Sequence, residues 1–185
     1  MKPNQKLSVL AVSGLVATLA ATVAHAAFSS PRDTRVSFSA SGPAGLKIEG
    51  TTSELKVTEE GGNVLVDVPL ANLATGIALR DQHMKEKYLE VGKYPDAVLT
   101  VARGALKVPA SGGQLTADAP GTLKLHGQVR PVTVRYDATA DSDGLSVNGK
   151  LHIRMDDFGI TVPSYLGVTV KPDVDVLASF HVTGT

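Results

Sequence analysis

Residues 75–101 read TGIALRDQHMKEKYLEVGKYPDAVLTV. What flanks this stretch decides the fold. Before it, Val64, Val66, Val68 and Leu70 fall on alternate positions; after Tyr94-Pro95, Leu99 and Val101 resume the alternation. Period two marks half-buried strands. A hairpin reverses in about two to five residues, and the segment between these two strands is far longer. It carries the charged cluster Arg80-Asp81-x-His83, then Met84, Tyr88 and Leu89 on one helical face, with Lys85, Glu86 and Lys87 largely opposite. Asp81 is placed to cap this helix and Gly92 to stop it. The expectation is a β protein with one short helix in a long loop that serves as a lid or a rim.

The alternation continues in both directions. Val36, Phe38 and Ala40 share a face, then Leu46 and Ile48, then Leu55 and Val57. Further on come Leu123 and Leu125; Val132, Val134 and Tyr136; Leu145, Val147, Leu151 and Ile153; and Val174, Val176, Ala178, Phe180 and Val182. Glu60-Gly61-Gly62-Asn63, Pro109 to Gly113 and Asp141-Ser142-Asp143-Gly144 read as tight reversals. The segment Asp156 to Gly167 reads as a turn or one helical turn near a barrel end. About eight strands with no helical layer favour an antiparallel barrel or sandwich. A barrel leaves no exposed edge, and eight strands enclose either packed side chains or one slender ligand.

The start of the chain belongs to a different class of segment. Lys2 and Lys6, the uncharged run Leu7 to Val23 and the small-x-small end Ala24-His25-Ala26 read as a cleaved secretory signal peptide over residues 1–26. One domain, residues 27–185, is expected to follow, exported to a periplasm or to the medium, without a stable membrane anchor. The whole chain has a formal net charge of zero, and its basic residues are scattered. That gives no electrostatic case for nucleic acid. There is no cysteine, which removes disulfides, thiolate metal sites and a cysteine nucleophile. Burial and backbone pairing must hold the domain together.

Four stretches carry a family resemblance. They are Thr75-Gly76 with Arg80-Asp81-Gln82-His83-Met84; Lys93-Tyr94-Pro95; Leu123 through Val134, LKLHGQVRPVTV; and Arg154 through Ile160, RMDDFGI. Together they resemble the YceI family of exported, lipid-binding, lipocalin-like proteins, over essentially all of residues 27–185. The resemblance implies an all-β fold, an eight-stranded antiparallel barrel whose interior holds a polyisoprenoid, a quinone tail or another long amphiphile. It implies no catalytic residue and no cofactor beyond such a lipid. The segment SGPAGLKIEG departs from the family pattern, as does Lys87 to Val91, and both leave the ligand's identity open.

On that basis the candidate tunnel lining is Phe38, Ala40, Ile48, Val66, Val68, Leu70, Met84, Leu89, Leu99, Val101, Leu125, Val134, Ile153, Phe158 and Phe180. Arg80, Asp81, His83 and Arg154 are candidates for a polar rim near a head group. For Arg80 and Asp81 a structural role competes: Asp81 capping, Arg80 bonded to a carboxylate or carbonyls. His126 reads as a turn histidine bonded to backbone. His83, His126, His152 and His181 lack compact ligand spacing, so no metal is expected. Asp156-Asp157 read as solvated or capping carboxylates rather than an acid–base pair. No nucleophile elbow, dinucleotide fingerprint or P-loop is present. Two functions remain: a carrier or sequestering protein for a long amphiphile, or a closed-core barrel acting in stress or protein interaction without lipid cargo. The oligomeric state is left open, a homodimer included.

Overall fold

The structure is a computed structural model that describes residues 31–165 and 167–183. The expected signal peptide lies outside the described residues. Eleven strands are described: β1 (Arg32–Ser41), β2 (Lys47–Thr52), β3 (Lys56–Glu60), β4 (Asn63–Pro69), β5 (Asp96–Ala102), β6 (Gln114–Leu125), β7 (Gln128–Ala140), β8 (Leu145–Arg154), β9 (Ser164–Tyr165), β10 (Val168–Thr169) and β11 (Asp173–Val182). Among the described residues nine of them form one sheet in the order β2-β1-β11-β8-β7-β6-β5-β4-β3, and β9 and β10 form a separate hairpin. Every pairing is antiparallel.

The all-β antiparallel expectation holds, and the strand count is corrected from eight to nine. The Leu55 and Val57 segment forms an edge strand, β3, which pairs with β4 from Lys56–Asp67 to Glu60–Asn63. Its hydrogen bonds run to one side, so it adds a strand without changing the meander.

Chain connectivity rolls this sheet up. The two edges, β2 and β3, are joined by Ser53, Glu54 and Leu55 alone. Nine strands laid flat would set the edges about 38 Å apart. The chain from Thr52 to Lys56 reaches at most about 14 Å. The sheet therefore curls until its edges nearly meet. The seam between them is strapped by the loop after β4: Thr51 N–H donates to Ala74 O at 2.8 Å, and Ala74 N–H returns to Thr51 O at 3.0 Å. Leu70 and Leu73 bury their side chains beneath this strap.

The inward faces carry the alternating residues of the sequence, except Leu46, which is exposed and precedes β2. Among the described residues they form two buried clusters. One surrounds Val36, Val101, Ala119, Val134, Tyr136 and Val182. The other surrounds Ala40, Leu70, Leu125, Ile153, Phe158 and Ile160. β1, β8 and β11 each contribute one end to each cluster, so the clusters sit at opposite ends of the roll. Leu99 and Val176 pack against both, between them.

The long loop holds α1 (Ala78–His83), which runs on as a π-helical turn over Met84–Tyr88. Its start differs from the expected cap. Ile77 occupies the N-cap without a side-chain bond. Asp81 lies inside the first turn and accepts from Thr75 N–H at 2.7 Å. Its end differs too: the wide π turn carries Leu89 N–H to Met84 O, and Glu90, at φ 45°, ends the helix before Gly92 is reached. The segment Asp156 to Gly167 contains a 3-10 turn over Asp156–Phe158, closed by Gly159 in the left-handed region.

Candidate functional site

Half-buried apolar side chains on the inner face define the candidate site. The β1–β11 ladder pairs Phe38 with Val176, and β11–β8 pairs Val176 with Leu151. On the other wall, Val66 pairs with Leu99 and Leu99 with Leu123. Phe38, Ile48, Val66, Val68, Leu99, Leu151 and Val176 are partly exposed although each has a buried strand neighbour two places along on at least one side. Inward residues that water still reaches have unfilled space beside them, since packed cores leave few such voids. Gly149 widens this belt. It pairs with Tyr136 and Ala178, and a Cβ there would meet Val134 Cγ2 at 3.7 Å and Ala178 O at 3.9 Å, ordinary contacts.

The fifteen tunnel candidates divide by position. Ala40, Leu70, Leu125, Ile153 and Phe158 are buried in the second cluster, and Val101 and Val134 in the first. Phe158, at 2 % exposure, plugs its end. Phe38, Ile48, Val66, Val68 and Leu99 line the half-buried belt. Phe180 is half-buried against the first cluster, and Met84 and Leu89 reach the second from the loop.

The polar rim candidates are not gathered into one site. Arg80 and Asp81 both close on Thr75. Arg80 Nε donates to Thr75 Oγ1 at 2.7 Å and Nη2 to Thr75 O at 2.8 Å. Asp81 accepts from Thr75 N–H and Oγ1, bonds that hold its carboxyl below the usual carboxylate range. This knot ties the loop's start to the first turn of α1. His83 is exposed. Arg154 shares no partner with them: it donates to Asp156 at 2.7 Å and approaches Asp173 at 3.6 Å. The Arg154 guanidinium lowers the Asp156 carboxyl. His152 bonds to Asp175 at 2.8 Å and Asp173 at 3.3 Å on the same exposed face, and the Asp175 bond raises its pKa. No group of three or more metal-capable side chains occurs among the described residues.

His126 makes a denser set of contacts than its sequence context indicated. It heads the two-residue reversal between β6 and β7 at φ 49°, followed by Gly127 at φ 73°. Its Nδ1 lies 3.1 Å from Phe158 O, the backbone contact expected of a turn histidine. Its Nε2 lies 2.8 Å from Glu90 Oε2, a partner no motif announced. Tyr94 meets the ring edge-on at 4.7 Å between centroids. Three of the sequence motifs thus touch one another at the end plugged by Phe158.

A YceI-like domain matches residues 21–182. The chain belongs to the YceI-like family. A UPF0312 protein of Pseudomonas savastanoi pv. phaseolicola is 33 % identical over 135 residues, spanning 68 % of this chain and 67 % of that one. A UPF0312 protein of Pseudomonas fluorescens is 34 % identical over 137 residues, 69 % and 68 % of the two chains. Among solved structures, a polyisoprenoid binding domain from Saccharophagus degradans superposes with a TM-score of 0.72 at 19 % identity, over 87 % of this chain and all of that one. Burkholderia cenocepacia BcnA superposes at 0.63 and 18 % identity, over 82 % and 96 %. These two likenesses are likenesses of fold. The antiparallel roll of strands is what this chain shares with them.

Proposed function

We propose that this chain binds one long apolar chain inside its barrel and acts as an exported carrier or sequestering protein for it, without catalysis. The observation that carries this is the half-buried apolar belt between two sealed end clusters. A side-chain-filled barrel has no reason to leave Val66, Leu99, Leu151 and Val176 open to water on its inner face. The name of the Saccharophagus degradans domain supports a polyisoprenoid as the ligand class. The leader-like residues 1–26 support export, to a periplasm or to the medium.

The interior suits length better than chemistry. At about 0.3 kcal/mol per heavy atom, a chain of about twenty carbons binds in the tens of micromolar and one of about forty approaches nanomolar affinity. Methylenes and methyl branches offer few contacts that distinguish one such tail from another. The protein therefore selects a length and width class, with the head group left near one end.

The test is organic extraction of protein freshly purified from its native host, followed by mass spectrometry. A long amphiphile near one per chain is the expected result. The rival reading, a closed-core interaction module, draws on the two filled clusters and predicts that extraction yields nothing and that added tails do not bind.

A further inference from the structure

At the end plugged by Phe158, one ladder of the roll stops short. The β7–β8 ladder runs from Ala140–Leu145 only to Arg135–Lys150. β7 continues from Val134 back to Gln128, and β8 continues to Arg154 on the β11 side. Beyond Arg135, side chains span the interval. Arg130 Nε donates to Asp157 O at 2.9 Å, and His126 Nδ1 lies 3.1 Å from Phe158 O. The loop over this end is lightly held as well. Neither α1 nor the π turn buries a residue. Ile77 and Leu79 are 53 % and 62 % exposed. Few buried contacts mark a segment that opens locally, and π turns recur at functional sites.

One contact ties these parts together. Glu90 and His126 are two of the four non-glycine residues with positive φ among the described residues, and their side chains bond to each other. Such strain persists where surroundings hold it. The acceptors around the ring are also informative. Phe158 O and the Glu90 carboxylate both accept and cannot donate, while a neutral imidazole carries one N–H. The ring satisfies both partners only when it carries two protons.

We propose that this end is the portal of the barrel, that residues 78–95 are its lid, and that His126 is the catch. Doubly protonated, His126 fastens the lid through Glu90 and the Phe158 turn through its carbonyl. With one proton lost, one of the two bonds becomes a contact between lone pairs, and lid and plug are freed to move. The other charged or titratable groups facing the catch are Lys93, whose ammonium lies 4.8 Å from the Tyr94 ring centroid, Tyr94 itself, and Arg130 with Asp157 on the hairpin side. Lys93 also feels the charge of Glu90, and keeps a counter-ion beside Glu90 when the ring is neutral. The portal rests on the carrier reading; the catch does not.

Native-state hydrogen exchange on the full chain tests the catch, at mildly acidic and at mildly alkaline pH. Peptides covering residues 75–95, 123–130 and 155–160 are followed in wild type, Glu90→Gln and His126→Asn, with correction for intrinsic exchange. Asparagine tolerates the left-handed backbone, so the second variant removes the ring and keeps the turn. Expected is a coordinated, roughly tenfold rise in opening of all three peptides with rising pH in wild type, and a flattened pH dependence in Glu90→Gln, whose amide can donate to the neutral ring as well as accept from the protonated one. Equal protection in wild type and variants, or independent exchange of the three peptides, overturns the catch. Glu90 is 45 % exposed, so its variant carries the test if His126→Asn does not fold. Stopped-flow uptake of dansyl-undecanoic acid tests the portal: uptake should quicken with opening. Opening that changes while uptake does not overturns the portal and leaves the catch. A probe that never binds overturns the carrier reading as well.

Discussion

Gly50 sits opposite Phe38 in the β1–β2 ladder, and the Phe38 ring lies over it. A Cβ on Gly50 would fall 2.8 Å from ring atom Cζ and 3.2 Å from Ala74 O, so the ring must give way because the strap cannot. Gly50→Ala is expected to push Phe38 towards the half-buried belt and shift the bound tails to shorter lengths, while Phe38→Ala shifts them longer; the mass distribution of extracted ligand reads both. Asp67 makes a different prediction. Its Oδ1 is buried without a hydrogen bond, and burial, then the charge of Asp96, raise its pKa. An acid with a raised pKa in the folded state opposes folding once ionised. Asp67→Asn should therefore raise the thermal midpoint at pH 7, and the gain should vanish as pH falls below the ordinary aspartate range. A gain that persists at acid pH contradicts this cause. At this scale the sequence showed which side chains face inwards, because alternation reports faces directly. It hid Gly50 and Gly149, which carry no hydropathy signal. It hid the Glu90–His126 bond because the partners stand 36 residues apart.

The helix-bearing loop and the β6–β7 reversal show how far elements can be read. Met84, Tyr88 and Leu89 at helical spacing announced a helix whose apolar face meets the second cluster. Its cap and its stop differ from the expected ones for two reasons. Asp81 spends its carboxylate on Thr75, and the π turn changes the phase at which the helix ends. The reversal carries a sharper constraint. Gly127 has φ 73°, and a Cβ there would come within 2.6 Å of the Tyr94 ring. Gly127→Ala should lower stability by about 1–3 kcal/mol, measured by denaturant unfolding, with the larger loss of exchange protection in the loop around Tyr94. Deleting the plug at the same end, Phe158→Ala, removes one of the most deeply buried side chains and should lower stability by about 3–5 kcal/mol. A small effect for both would mean that this end is not packed as described.

For the whole molecule, absent cysteine and period-two alternation already required an all-β domain held by burial and backbone pairing. The ninth strand was present in that pattern as Leu55 and Val57. What alternation could not supply is closure. Whether edges meet, and where a ladder ends, depends on pairings such as Thr51 with Ala74 and on the stop at Arg135–Lys150, which leave no local mark. The same roll gives the proposed function its physical basis: two filled ends and an apolar belt that water still reaches. The central claim is that a long tail occupies that belt. Native mass spectrometry of protein taken directly from its host tests it most directly. Expected is a complex heavier than the bare chain by one long-chain amphiphile, lost after organic extraction and regained on adding the tail back. Bare chain throughout, with no uptake of an added isoprenoid or acyl tail, would contradict it.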